Sequence, residues 1–454
     1  MPILCRPAVM VPEHTISMGE TLELARRLHR DHPRLELVLQ LIEHTGVRER
    51  HLVRPLEQTL RHPGVEARNL IYAEEARKRV PEVALAALAA AGDLAPEDID
   101  AIIFVSCTGF LMPSMTAWMI NNMGFRNDTR QIPIAQLGCA AGGAAINRAA
   151  DFCKAYPGTN VLIVACEFCS LLYQPTDTDV GSLLSNGLFG DAVAAAVVRG
   201  HGGYGMQLER NGSYLVPDTE RWISYAVKAT GFHFRLDKRV PTTMAMLAPA
   251  LRTLADSHGW DAAALDFYII HAGGPRILDD LCDILGVDPS LFRYSRATLT
   301  ENGNIASAVV LDALRRMFED NGLWHGATGV VAGFGPGITA ESCVGTWALP
   351  TTGRVTAPRS RTTIADSAVG AGSAVIPDRA ALSSNTSRAD STIIAEQAAI
   401  ADSAAVADTA AVADTAAIVD TAAIVDTAAV VDTAAVVDSA EIADIADIAE
   451  SGAS

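Results

Sequence analysis

In the segment Gln136-Leu137-Gly138-Cys139-Ala140-Ala141-Gly142-Gly143, a cysteine stands between a strand-like apolar run at 132–135 and an alanine-rich, helix-like run reaching Asp151. A thiol at a helix N-terminus faces unpaired backbone N–H groups and the positive end of the helix dipole, which favour thiolate and so make a nucleophile. Gly142 and Gly143 would let another chain or a thioester come close to the backbone there. Further along, Asp266-Phe267-Tyr268-Ile269-Ile270-His271-Ala272-Gly273-Gly274-Pro275 reads as a strand that delivers His271 into a glycine-rich turn. The ends of α/β strands are where ligands gather. Asn304 lies in Asn302-Gly303-Asn304-Ile305-Ala306-Ser307, a polar turn ahead of a helical pattern at 309–319. Taken singly, Cys139 reads as a small buried residue, His271 as a core histidine and Asn304 as a helix cap. Taken together they read as chemistry: imidazole and carboxamide both donate hydrogen bonds, so they can hold the oxyanion of a thioester carbonyl. Such a site would acylate the cysteine and stabilise an enolate.

The elements that must position these groups form an α/β alternation, and 454 residues with 49% hydrophobic content can bury a large core. The start Met1-Pro2-Ile3-Leu4-Cys5-Arg6 has no basic stretch followed by an apolar segment, and no apolar run of about 18 residues follows. The eight cysteines lack paired CxxC spacing; Cys166 and Cys169 form a single CxxC within a strand pattern, so no metal site is expected. Free thiols suit a reducing compartment, and the expected location is cytoplasmic. A net charge of −18 disfavours nucleic acid and anionic membranes as partners.

With these motifs in hand, the chain resembles a type III polyketide synthase of the chalcone synthase superfamily over residues 1–349. The resemblance rests on the cysteine, histidine and asparagine segments and on Gly333-Phe334-Gly335-Pro336-Gly337, the signature of that family. That glycine motif is not a phosphate loop, since no helix with Lys and Ser/Thr follows it. Ser106-Cys107-Thr108-Gly109-Phe110-Leu111-Met112-Pro113, the stretch from Arg130 through Cys139, and Leu188-Phe189-Gly190-Asp191-Ala192 make it similar, within the family, to the bacterial tetrahydroxynaphthalene synthases. The resemblance implies a thiolase-like five-layer αβαβα body of two similar α/β halves, and a homodimer. It implies Cys139 as nucleophile and His271 with Asn304 as the pair that activates malonyl-CoA for decarboxylation. Phe189 and Phe234 would stand as gatekeepers between the CoA tunnel and the cavity, and Met112 would reach into the partner subunit's cavity. Cys107, Cys169, Leu172, Tyr225 and Ala306 would line the cavity, with several departures from the plant pattern that argue for a different starter and cyclisation. The basic residues that plant enzymes place near the CoA phosphates have no clean counterparts at 37–50, which leaves Arg276 as a candidate, with a structural ion pair as its alternative.

The implied activity is iterative decarboxylative Claisen condensation of malonyl-CoA and cyclisation to an aromatic product, 1,3,6,8-tetrahydroxynaphthalene, with no cofactor. The alternatives are a type III synthase with another acyl-CoA starter, and a ketoacyl-ACP synthase III, which also uses Cys, His and Asn. A non-enzymatic alternative, a scaffold working through its tail, is disfavoured by the intact triad. The tail is nonetheless distinct: 1–350 reads as the body, 351–361 as a linker and 362–454 as an acidic appendage. Residues 351–454 carry −10 of the charge and neither an aromatic residue nor a lysine. An aliphatic residue recurs every six positions from Ile364 to Ile448, broken only at Gly370 and Arg388. Six residues advance an α-helix by about 600°, so no fixed apolar face forms. The period fits either a left-handed β-helix or, given the alanine-rich acidic composition, a disordered segment that contacts a protein partner.

Overall fold

The computed structural model describes residues 1–320 and 322–349; the linker expected at 351–361 and the hexad tail at 362–454 lie outside the described residues. The main sheet follows one hydrogen-bonded path in the order Phe267–Ile270, Thr328–Gly335, Thr339–Ala348, Gly205–Leu215, Ile3–Leu4, Asp191–Arg199, Asn160–Phe168, Ala101–Val105, Arg130–Ile134. Ala8–Met10 pairs beside this path with Asp191–Arg199. Parallel and antiparallel pairs are mixed. Ala101–Val105 runs parallel to both its neighbours, with Ala101 opposite Val161 and Arg130, whereas Asp191–Arg199 runs antiparallel to Asn160–Phe168.

The strand Asn160–Phe168 reads as an almost unbroken apolar run because both of its faces are covered. Val161, Ile163 and Ala165 enter one core while Leu162, Val164, Cys166 and Phe168 enter another, the period-2 alternation of a strand between two layers. The long helix Val65–Ala90 packs against Asn160–Phe168 and Asp191–Arg199 and closes the second core. The helix Ala141–Ala155 closes the first, lying against Asn160–Phe168, Thr328–Gly335 and Thr339–Ala348. Its first five residues, 141–145, are Ala and Gly, small enough to be buried on every side where the helix is wedged between strands. Cys139 sits on the short 3-10 turn Gly138–Ala140 immediately before that helix.

Candidate active site

The turn that carries Cys139 is held by backbone contacts that side chains would forbid. A Cβ at Gly142 would lie 2.2 Å from the Ser307 carbonyl oxygen, and one at Gly143 would lie 2.3 Å from that of Glu341. The two glycines therefore admit this chain's own strand and turn, rather than the thioester that the sequence suggested. Gly335 plays the reciprocal part: a Cβ there would meet the Ala140 nitrogen at 2.4 Å, so the Gly333–Gly337 motif brings strand Thr328–Gly335 flush against the nucleophile turn. Through Gly142, the turn that carries Asn304 reaches Cys139.

His271 follows directly on strand Phe267–Ile270, and its N–H donates to the Ala332 carbonyl at 2.8 Å. Asn304 follows helix Arg293–Asn302 after Gly303. Its N–H donates to the Leu188 carbonyl at 2.9 Å, and its carbonyl accepts from Gly190 at 3.1 Å, so Asn304 and Phe189 are locked backbone to backbone. Arg50, buried and within reach of the Asp191 charge, braces this junction by donating to the carbonyls of Asn186 at 2.7 Å and Phe189 at 3.1 Å. The Asn304 side chain does cap, as its residue type suggested: Oδ1 accepts the Ala306 N–H at 3.0 Å. It also receives the Cys139 thiol at 4.0 Å. With Oδ1 so committed, the amide is oriented and Nδ2 is the group left to donate.

Cys139, His271 and Asn304 all line one cavity of about 780 Å³. Cys107, Cys169 and Leu172 line it too, as do Tyr225 and Ala306. Phe189 and Phe234 meet edge to face in its wall at 5.4 Å between ring centroids. Tyr225 packs edge-on against Phe234 at 5.7 Å and Phe232 at 5.8 Å. No hydrogen bond to the Tyr225 hydroxyl is made among the described residues. Arg276 stands on the cavity wall with its side chain 68% exposed, 3.5 Å from Asp280 one helical turn on. The ion-pair reading of this arginine is thus present, and so exposed a pair contributes little to stability. Met112 is the exception: it lies outside the cavity and is 84% exposed.

The electrostatics differ from the expectation of a thiolate. Cys139 keeps some surface on the cavity, but protein encloses it, and that enclosure pushes its thiol up to about 12. The Glu167 carboxylate adds to the rise, and the Asn304 hydrogen bond opposes it. Burial also lowers His271 to about 4, so its imidazole is neutral near pH 7, and Nδ1 has no hydrogen-bond partner. A neutral imidazole can take the thiol proton when the thioester arrives and can donate one N–H to an enolate oxygen.

Two buried carboxylates next to cavity-lining segments, Glu167 and Asp191, were among those that escaped the sequence reading. Glu167 accepts from the Cys107 N–H at 3.1 Å and from the hydroxyls of Thr108 at 2.9 Å and Ser307 at 2.5 Å. It ties the Cys107 segment to the Asn304 turn, and burial raises its carboxyl. Asp191 accepts from the N–H groups of Val53 at 2.7 Å and Ser170 at 2.8 Å and is pushed up to about 6 by burial. Each is a single acid within an apolar strand, a position where only an internal partner could keep it.

A cysteine, a neutral histidine and an oriented asparagine on one cavity in a thiolase-like α/β body are the groups a condensing enzyme needs. The chain belongs to the chalcone and stilbene synthases: the N-terminal domain of that family matches residues 30–202 and the C-terminal domain residues 207–346. It is a type III polyketide synthase, hence an acyltransferase. It is 71% identical to a 1,3,6,8-tetrahydroxynaphthalene synthase of Streptomyces coelicolor over 76% of this chain and 92% of that protein. It is 45% identical to a phloroglucinol synthase of Pseudomonas fluorescens over 76% of this chain and 99% of that one. The crystal structure of the Streptomyces coelicolor tetrahydroxynaphthalene synthase superposes with a TM-score of 0.75 at 71% identity, covering 76% of this chain and 99% of the other.

Proposed function

We propose that this chain condenses malonyl-CoA with itself, by repeated decarboxylative Claisen steps on Cys139, and cyclises the pentaketide to 1,3,6,8-tetrahydroxynaphthalene. The observation that carries the reading is the meeting of Cys139, His271 and Asn304 on one cavity whose other walls bear Cys107, Cys169 and Tyr225. High identity to tetrahydroxynaphthalene synthases supports the product.

His271 takes the Cys139 proton, the sulfur attacks the malonyl thioester, and coenzyme A leaves as its thiol with that proton. A second malonyl-CoA loses carbon dioxide, and its enolate oxygen is held by His271 N–H and Asn304 Nδ2–H until the carbanion attacks the acyl-cysteine carbonyl, expelling the Cys139 sulfur and leaving the lengthened chain on coenzyme A, from which it reloads the cysteine. Decarboxylation itself supplies the carbanion, so the chemistry needs malonyl-CoA as substrate and no resident cofactor. The Tyr225 hydroxyl, held protonated by burial, would receive the starter carboxylate. Arg276 at the rim would exchange Asp280 for a CoA phosphate. Phe189 and Phe234 would part the CoA side from the cavity.

We further infer the five-layer αβαβα arrangement, supported by the buried helix Ala141–Ala155 between strands of both halves. A homodimer is inferred from Met112 and Phe110, apolar side chains 84% and 59% exposed on the single chain. A cytoplasmic location is in keeping with eight free thiols, and among the described residues no helix is long and apolar enough to cross a membrane. The deciding experiment is incubation of the purified protein with malonyl-CoA alone. Tetrahydroxynaphthalene, or its oxidised quinone, is the expected product by mass. A requirement for an aromatic or fatty acyl-CoA starter would overturn the proposal.

A further inference from the structure

The cavity walls are not equally anchored. Strands Ile223–Lys228 and Gly231–Leu236 form a two-stranded hairpin, with Tyr225 opposite Phe234, and neither strand joins the main sheet. This hairpin nevertheless supplies Tyr225, Phe232 and Phe234 to the cavity. A two-stranded hairpin is marginal by itself, so its pose depends on ties to the rest of the body.

His233 stands between Phe232 and Phe234 and, by strand alternation, projects from the opposite face. It is 3% exposed there, with Nδ1 donating to the Asp177 carboxylate at 2.7 Å and Nε2 lying 2.7 Å from the Thr230 hydroxyl. A carboxylate only accepts, so Nδ1 carries a proton, and the Thr230 hydroxyl is the partner of Nε2. Both ring nitrogens are satisfied, and neither His233 nor Asp177 lines the cavity. Asp177 belongs to the segment that follows the turn Cys169–Leu172, which carries the cavity thiol. The same segment sends Gln174 to the Phe232 carbonyl at 3.1 Å and Ser182 to the Phe234 carbonyl at 3.1 Å. Asp177 to His233 is the one tie among them that joins a carboxylate to a ring N–H, the stronger kind of hydrogen bond.

We propose that Asp177, His233 and Thr230 form a positioning latch that seats Tyr225, Phe232 and Phe234 against the Cys169 wall, and so sets how far the polyketide grows before release. The inference rests on the malonyl-CoA reading above. His271 and Asn304 stand on other elements, so loosening the hairpin leaves enolate formation intact while the growing chain loses its mould.

The test compares purified variants on malonyl-CoA, reading the ratio of pentaketide to shorter pyrones together with carbon dioxide release. In His233→Ala the ratio should fall about tenfold, within the range for a modest misplacement of a positioning group. Carbon dioxide release per enzyme should stay within about twofold of the unaltered protein, because its donors are untouched. His233→Asn, whose Nδ2 can replace Nδ1 as donor to Asp177, should restore part of the ratio. Thr230→Val, at the exposed hairpin turn, reads the same ratio should His233→Ala not fold. An unchanged ratio in these variants, or a parallel fall in decarboxylation and extension, would overturn the latch. An unaltered enzyme that makes no polyketide from malonyl-CoA would overturn the latch and the function together, whereas normal product with insensitive variants overturns the latch alone.

Discussion

A buried thiol beside a buried carboxylate is a poor nucleophile until something removes its proton. Burial and Glu167 raise Cys139, while burial lowers His271, so the substrate-free pair rests as thiol and neutral imidazole. Alkylation of Cys139 by iodoacetamide, read at that residue by peptide mass, should therefore accelerate about tenfold per pH unit between 7 and 9. A flat profile over pH 6–8 would mean that an imidazolium–thiolate pair overrides burial. Since the folded His271 value of about 4 lies below the ordinary 6.5, the imidazole stays a competent base down to that value, and the acid limb of polyketide synthesis should lie near pH 4. Cys139→Ala should abolish polyketide while malonyl-CoA decarboxylation persists, because the enolate donors His271 and Asn304 remain. Normal product from Cys139→Ala would sink its assignment. Asn304→Ala should cost about 2.7–4 kcal/mol in the step limited by enolate formation, the scale for one oxyanion donor. A near-native rate there would reduce Asn304 to the cap it also is.

At the scale of elements, the site is a set of turns pressed together through missing side chains. Gly142→Ala would drive a Cβ into the Ser307 carbonyl at 2.2 Å and Val310 at 2.8 Å, pushing the Asn304 turn away from Cys139. The expected result is about 1–3 kcal/mol of lost stability, the scale of overpacking, and a loss of activity larger than the drop in thermal midpoint explains. An active, equally stable Gly142→Ala would show that the turn has room that the backbone contacts deny. This also shows where sequence reading stops. The strand before Cys139 and the strand before His271 were visible as short apolar runs, because pattern along the chain survives folding. What Gly142 and Gly143 admit was not, because the partners Ser307 and Glu341 are far away in sequence. Glu167 was hidden for the same reason: its partners Cys107, Thr108 and Ser307 come from two other segments. The hairpin Ile223–Lys228 with Gly231–Leu236 was legible only as Tyr225 and Phe234, since its anchorage through His233 and Asp177 leaves no local pattern.

For the whole molecule, the question is what an acidic appendage does for an enzyme whose substrate is an anion. Every residue placed on the cavity lies within the body, and the last strand described, Thr339–Ala348, ends before the linker expected at 351–361. The tail carries −10 of the chain's −18 and would repel the phosphates of an acyl-CoA, so contact with substrate is the least favourable task for it. Its regular six-residue spacing of aliphatics suits solubility, self-association or docking to another protein. Truncation after Leu349 should therefore leave the KM for malonyl-CoA and the product profile within about twofold, since every residue placed on the cavity belongs to the body. What should change is solution behaviour, read by light scattering of the two forms at equal concentration and at low and physiological salt. A truncated protein that folds and dimerises yet makes no polyketide would mean instead that the appendage completes the site.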